Sequence, residues 1–561
     1  MTIYEISFDK PWQKTVHFNA QFECSQENDL TLQLPIWRPG RYELGNFAKY
    51  LLNIEFKDER GEKLRSCSRN NHSWSVNCSN SAMVTVEYNF YAGVLNAGSC
   101  WLDEEQLYLN PVNCMLFNPQ KENDGFELRF SLPDDYEIAC GLANKSKHIL
   151  LAESTQELMD GPLIASNKLE HWEYSSHDIS FHLWFMGEHQ LVKQKVLTDF
   201  KAFTNAQIEA FGGFPVNEYH FLFQFPKVKT YHGVEHVNST VIALGPGDKM
   251  HEEKNYENLL GISCHELYHT WNIKNIRPVE MMPYDFTKEN YSFLGYVAEG
   301  VTTYFGDEFL HRSGVFTDKQ WLSTMEGNLN RHFNNFGRFN KSVAQSSFET
   351  WLDGYEVGIP NRKVSIYTEG CLIAFICDQR IKSLSGGTRS LDDVMKLLYE
   401  THGLNKTGYS EENYLMALEK IGETSFRDVY DQLIHGTEDY SPFLQESFDS
   451  AGIEWTQEDL SVPETLWGVR SVAVAQGEQV IGVYPGSPAD RAGLWFGDVL
   501  MKIEGQEIDK DWKKKMGKDE KISLEVKRNG GMLRIYLNID PTRAYFKGQR
   551  LKTRQLQKNL N

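Results

Sequence analysis

The segment His265-Glu266-Leu267-Tyr268-His269 constrains this chain more than any other stretch. Around it Leu260, Cys264, Leu267 and Trp271 recur at i, i+4, i+7 and i+11, the apolar stripe of a helix. Four residues are about one helical turn, so His265 and His269 leave one face together and can present two imidazole nitrogens to a single metal. Glu266 stands beside them, placed to take a proton from water at that metal. Taken alone, the pattern is short and also fits an ordinary helix carrying two histidines and a glutamate.

A catalytic zinc site uses three protein ligands and keeps a further position open. A third ligand is therefore expected downstream, and Glu299 in Tyr296-Val297-Ala298-Glu299-Gly300-Val301-Thr302-Thr303-Tyr304 is the candidate. Arg277-Pro278 and Met282-Pro283 break the chain between the two segments, leaving room for a loop and a return helix. An isolated acid on a helix is usually solvated. Gly295, Gly300 and the aromatic neighbours point instead to burial, which a glutamate tolerates only when paired or metal-bound.

The patterning changes along the 561 residues. Residues 1–187 hold short alternating runs, such as 30–34, 52–56, 83–90, 126–130 and 179–185, separated by Gly, Asn, Asp and Pro clusters. They predict an N-terminal β-sandwich-like domain. Residues 188–460 are mainly helical in pattern, with helices expected over 192–211, 256–275, 292–311, 317–333, 365–383, 390–401 and 410–421, and a strand at 219–225. Ser390, with Asp393 three residues on, opens one of them as a capping box. Short strands return over 461–541, and 542–561 reads as a tail. The fold class expected is multidomain α+β.

With 41% hydrophobic residues the chain has ample material for large cores, so disorder throughout is excluded. The net charge of −20, with only short basic stretches, argues against a nucleic-acid partner. No run of about 18 apolar residues occurs, so no membrane span is expected. The N-terminal residues carry no signal-peptide pattern, and the 9 Cys are scattered with no C-x-x-C spacing. A cytoplasmic setting is the expectation.

The motifs together resemble the glycyl aminopeptidase family, gluzincin metallopeptidases with a PDZ-like C-terminal domain. The resemblance is carried by the H-E-L-x-H and E-G-x-x-x-Y segments and by Trp271-Asn272-Ile273-Lys274-Asn275-Ile276-Arg277-Pro278. It extends to Leu34-Pro35-Ile36-Trp37-Arg38-Pro39-Gly40-Arg41-Tyr42. It implies a thermolysin-like catalytic domain holding one Zn2+ per chain through His265, His269 and Glu299, with Glu266 as the base. It also implies that Tyr231-His232-Gly233-Val234-Glu235-His236 lies beside the substrate, Gly233 on the strand and Glu235 holding the free α-amino group. His232 and His236 depart from the Gly and Asn of larger relatives there. Tyr367, in Ser365-Ile366-Tyr367-Thr368-Glu369-Gly370, matches the tyrosine that stabilises the tetrahedral intermediate, with Glu369 where relatives often have Lys. Leu466-Trp467-Gly468-Val469 matches the carboxylate-binding loop of a PDZ domain, although Trp467 is unusually large.

The function so implied is removal of N-terminal residues, Gly or Ala preferred, from peptide substrates, with a peptide C-terminus as a further partner at the PDZ-like groove. Two other readings stay open: an endopeptidase that recruits chains through that groove, and a peptide-binding scaffold without catalysis. Lys274 and Arg277 are expected to cap carbonyls at the end of the metal helix, or to meet a substrate carboxylate.

Overall fold

The computed structural model describes residues 1–24, 28–356 and 358–554. The chain divides into two compact units, the first Met1–Thr317, Ser347–Glu356 and Arg389–Thr424, the second Asp318–Ser346, Val357–Thr388 and Ser425–Asn561. It is multidomain and mixed, with a sheet-rich N-terminal region and a helical middle region.

In the first unit, Thr15–Glu23 and Met83–Tyr91 bury alternate residues and pair antiparallel as the fifth and sixth strands of a seven-stranded sheet. Phe18 and Tyr88 face each other across that pair with stacked rings 4.9 Å apart. Four- and three-stranded sheets complete the region. Its apolar core also takes in Tyr284, Phe286, Ala298 and Trp351, far along the chain. Trp37 is fully buried among Tyr284, Phe286 and Trp351, and its indole N–H donates to the Asp285 carbonyl at 2.8 Å. The Trp37-Arg38-Pro39-Gly40 segment is thereby anchored to the loop at Tyr284-Asp285-Phe286.

A five-stranded sheet follows, in spatial order Glu170–Ser176, Ile179–Met186, Glu218–Gln224, Ser239–Gly245 and Thr230–Glu235. Both edge strands pair antiparallel with their neighbours, and the three strands between them run parallel. One face packs on the helix Lys193–Phe211, where the Phe200 ring lies 5.2 Å from that of Phe221.

The helix expected over 256–275 runs from Glu253 to Tyr268 and stops there. Beyond it Ile273 takes a positive φ of 91°, and the turn satisfies its own carbonyls. The Lys274 N–H donates to His269 O, and the Asn275 side chain donates to Thr270 O at 2.7 Å. The segment expected as one helix over 292–311 is a π-turn, Tyr296–Val301, leading into an α-helix, Thr302–Arg312. The Ser390 capping box forms as read, with Asp393 as the reciprocal acceptor on the helix Leu391–Leu398.

The second unit contains the helices Asp318–Asn334, Ile366–Leu384 and Ser441–Ser450 and a sheet around the core of Trp467, Val480, Leu500, Leu524 and Leu537. Within the stretch read as a tail, Lys547–Thr553 is a strand paired to Ile453–Asp459, a partner too distant in sequence for local patterning to reveal. Residues 555–561 of that stretch lie outside the described residues. Among the described residues no helix is long and apolar enough to cross a membrane.

Candidate metal centre

His265 lies in the last turn of the helix Glu253–Tyr268 and His269 is its C-cap residue. Their Nε2 atoms are 3.0 Å apart, and Glu299 Oε2 lies 3.8 Å from His265 Nε2 and 3.4 Å from His269 Nε2. Ligands about 2.0–2.1 Å from a tetrahedral zinc are separated by about 3.3 Å, so the three atoms match such a cage closely. His269 and Glu299 are buried, while the His265 side chain keeps 19% exposure. The cage is thus closed behind and open on the His265 side.

The surroundings orient these ligands. His269 Nδ1 meets the Asn272 carbonyl at 2.9 Å, so Nδ1 carries the proton and Nε2 turns its lone pair to the cage. The Asn272 side chain donates to the carbonyl of Val297 at 2.8 Å and to Thr302 Oγ1 at 3.0 Å, clasping the turn that bears Glu299. The π-turn supplies the register, and such turns recur at functional sites. Burial works against charge on Glu299 and His269. Each overcomes it on the other, so the His269 pKa is raised and that of Glu299 lowered. Two imidazoles and a carboxylate, with a hydrogen-bonded second ring nitrogen, are a donor set that suits zinc.

Glu266 is buried, and burial, with Glu235 and Glu299 nearby, pushes its carboxyl up to about 8 against the pull of His269. Oxygens of Glu235 and Glu266 and a nitrogen of His269 all lie within 4.8 Å of one another. Glu235 Oε1 and Glu266 Oε2 are buried and find no hydrogen-bond partner among the described residues. Gly233, on the edge strand, meets Glu266 so closely that a Cβ there would lie 2.0 Å from Oε1. Only glycine leaves that carboxylate where it is.

Arg38 and Gly40 join the site from the N-terminal sheet region. A Cβ on Gly40, whose φ is +75°, would lie 2.4 Å from Glu235 Oε2, so bare backbone walls the carboxylate. Arg38 donates to His232 Nε2 at 3.2 Å, and burial followed by that guanidinium holds His232 down to about 3, hence neutral. Asp160 bonds Lys274 Nζ at 2.7 Å and the Val237 N–H at 2.6 Å, and stands 3.2 Å from His236 Nδ1. Burial alone would raise the Asp160 pKa, but Lys274 and His236 hold it well below the usual range. Lys274 therefore serves this carboxylate, not the helix dipole. Arg277 donates to the carbonyls of Ile273 and Lys274, just past the helix, and lies 3.8 Å over the Tyr284 ring. The signal for these residues was present in the quoted Trp37–Gly40 and Trp271–Pro278 strings, whereas Asp160 had none.

Tyr367 lies in the second unit, half-buried in the first turn of the helix Ile366–Leu384. Glu369 beside it, where relatives often carry Lys, is buried and pairs with His332 Nδ1 at 2.7 Å. Trp467 of the expected carboxylate loop is fully buried in its own core, and Gly468 takes a φ of +74° against Ser487.

Residues 258–373 match the family described as M61 glycyl aminopeptidase, and residues 3–167 match the peptidase M61 N-terminal domain. No curated protein matches the chain. A solved aminopeptidase N family protein from Idiomarina loihiensis has the same fold: TM-score 0.90 and 24% identity over 99% of this chain and 98% of that one. The M1 zinc metallopeptidase from Deinococcus radiodurans aligns with TM-score 0.48 and 11% identity over 78% of this chain and 94% of its own. A mutant of it bound to a Tyr-Ser-Ala substrate gives 0.47 and 12% over the same shares.

Proposed function

Because the chain belongs to the M61 glycyl aminopeptidase family and is a metallo-aminopeptidase, we propose that its metal is zinc, one ion per chain, held by His265, His269 and Glu299. The observation that carries the aminopeptidase chemistry is Glu235: a buried carboxylate with an oxygen left unpartnered, beside the metal ligands. Glu235, Glu266 and Glu299 bring three acidic groups into one buried space, and a divalent cation plus an α-ammonium supply matching charge. Glu235 pairs with the ammonium of the substrate and fixes its first residue at the scissile position. The substrate lies extended along the edge strand Thr230–Glu235, where main-chain groups hold the peptide without regard to side chain.

Zinc in the cage supplies Lewis acidity, polarising the scissile carbonyl and acidifying water. Glu266 takes the proton of the attacking water and delivers it to the leaving amine. The family resemblance assigns Tyr367 the donation of its phenol hydrogen to the developing oxyanion. A preference for Gly or Ala follows from the family. The module over 461–541 is read as PDZ-like, holding a peptide C-terminus outside the chemistry.

Glu235 provides the test. Removing one partner of a buried charge pair costs about 2–5 kcal/mol. Glu235→Ala should therefore cut kcat/KM on free-amine peptides by tens- to thousands-fold, at about 1.4 kcal/mol per decade. N-acetylated peptides should be poor substrates and insensitive to the change. Internal cleavage of acetylated peptides at the rate of N-terminal trimming would replace this reading with the endopeptidase.

A further inference from the structure

A second cluster of metal-ligating side chains lies on the five-stranded sheet, apart from the residues described above. Strand register builds it. His171 and Glu173 are two apart on Glu170–Ser176; His182 is paired with Glu173 on one side and with His220 on the other; Glu218 is two before His220. Side chains alternate with a period of two, so all five emerge on one sheet face. Three histidines and two glutamates thus share a patch three strands wide, brought together by no local sequence motif.

The geometry divides this patch in two. The Trp184 indole N–H donates to His220 Nδ1 at 3.2 Å, which leaves the His220 proton on Nε2, facing Glu218 Oε1 at 3.8 Å. His220 is therefore a bracket, with its lone pair already taken. His171 Nε2 and His182 Nδ1 approach to 3.0 Å, the same separation as the nitrogens of His265 and His269, and Glu173 Oε2 lies 4.0 Å from His182 Nδ1. The three donors of His171, Glu173 and His182 lie within 4.8 Å of one another.

The rings are held for this. His171 stacks on Trp184 with centroids 3.9 Å apart, and His182 stacks on His220 at 4.8 Å. Burial keeps both His171 and His182 below the ordinary imidazole pKa, so their lone pairs are available at neutral pH. Glu173 is the exposed member, 72% open to solvent, and its free rotamers let the carboxylate close on an ion.

We propose that His171, His182 and Glu173 form a second metal site, for a divalent transition ion of the zinc, nickel or copper(II) class. Two nitrogens 3.0 Å apart, each about 2.1 Å from an ion, subtend about 90°, and water completes the coordination. On binding, the proton shared between the two rings moves to an outer ring nitrogen and the ion takes its place. The site is independent of the catalytic assignment, because it shares no ligand with it.

The test is metal uptake by the full-length protein after chelator treatment, titrated with zinc chloride and followed by calorimetry and elemental analysis. Wild type should take up about two equivalents, His182→Ala and His269→Ala about one each, and the double variant none. Turnover by zinc-loaded His182→Ala should stay within about twofold of wild type, as the site lies outside the chemistry. Glu173→Gln, an exposed change that leaves the fold intact, should weaken the second equivalent by about tenfold. In His269→Ala loaded with copper(II), electron paramagnetic resonance should show coupling to two imidazole nitrogens. Equal uptake by wild type and His182→Ala, or a copper signal without nitrogen coupling, would overturn the proposal. Loss of uptake in His269→Ala alone would leave the catalytic assignment standing and remove only this one.

Discussion

Replacing Gly233 by alanine isolates the position of Glu266, the proposed general base, from its chemistry. The new Cβ would lie 2.0 Å from Glu266 Oε1, 2.6 Å from Cδ and 3.0 Å from Cγ. Ordinary contact needs about 3.5 Å, so the nearer carboxylate oxygen must retreat by about 1.5 Å. The strand cannot yield instead: His232, Gly233 and Val234 are paired in register with Ala243, Ile242 and Val241. Misplacing a reacting group by about 1 Å costs on the order of 10² in rate. The expected result is a kcat lowered by about 10², or about 2.7 kcal/mol of barrier, with zinc retained. Stability should barely change, since a side-chain end moves and the backbone φ is ordinary. The assay is kcat on an alanyl anilide beside zinc content and a urea midpoint. The double variant with Glu266→Gln should be no slower than Glu266→Gln alone, because both changes act through one group. Wild-type kcat in a zinc-loaded Gly233→Ala protein, or a change confined to KM, would refute Glu266 as the positioned base.

Tyr367→Phe should lower kcat by about 10² to 10³ in steady-state assays while zinc content stays unchanged; an effect on KM alone would remove its oxyanion role. Asp160→Asn should destabilise the protein by about 3–5 kcal/mol at neutral pH, because it leaves Lys274, whose side chain is fully buried, without its partner. Since the folded-state pKa of Asp160 is depressed, its contribution is complete above the ordinary carboxylate range and is lost as pH falls below about 4. Denaturant midpoints measured across pH should therefore converge for wild type and Asp160→Asn in acid, and parallel curves would count against the pairing.

What the sequence determines here is what lies within a few turns of one helix. The spacing of His265 and His269, the apolar stripe beneath them and the glutamate at 266 follow from helical periodicity, and the structure brings Glu299 to within 3.8 Å of both imidazoles. The strand ends of the N-terminal region and the Ser390 cap are local in the same sense. The resemblance supplied Glu235 and Gly233, but their surroundings come from elsewhere in the chain. Gly40 walls Glu235 across nearly two hundred positions, and Asp160 reaches Lys274 across more than a hundred. Such partners carry no periodic signal, because their proximity is produced by packing, here the burial of Trp37 against Tyr284 and Trp351. The π-turn at Glu299 and the break after Tyr268 were unreadable for a related reason. A helix with an apolar stripe reads as continuous until a tertiary hydrogen bond, in this case the Asn272 clasp, makes interruption favourable. The cluster of His171, His182 and Glu173 is the extreme case, since the register of paired strands assembles it and no single segment contains it.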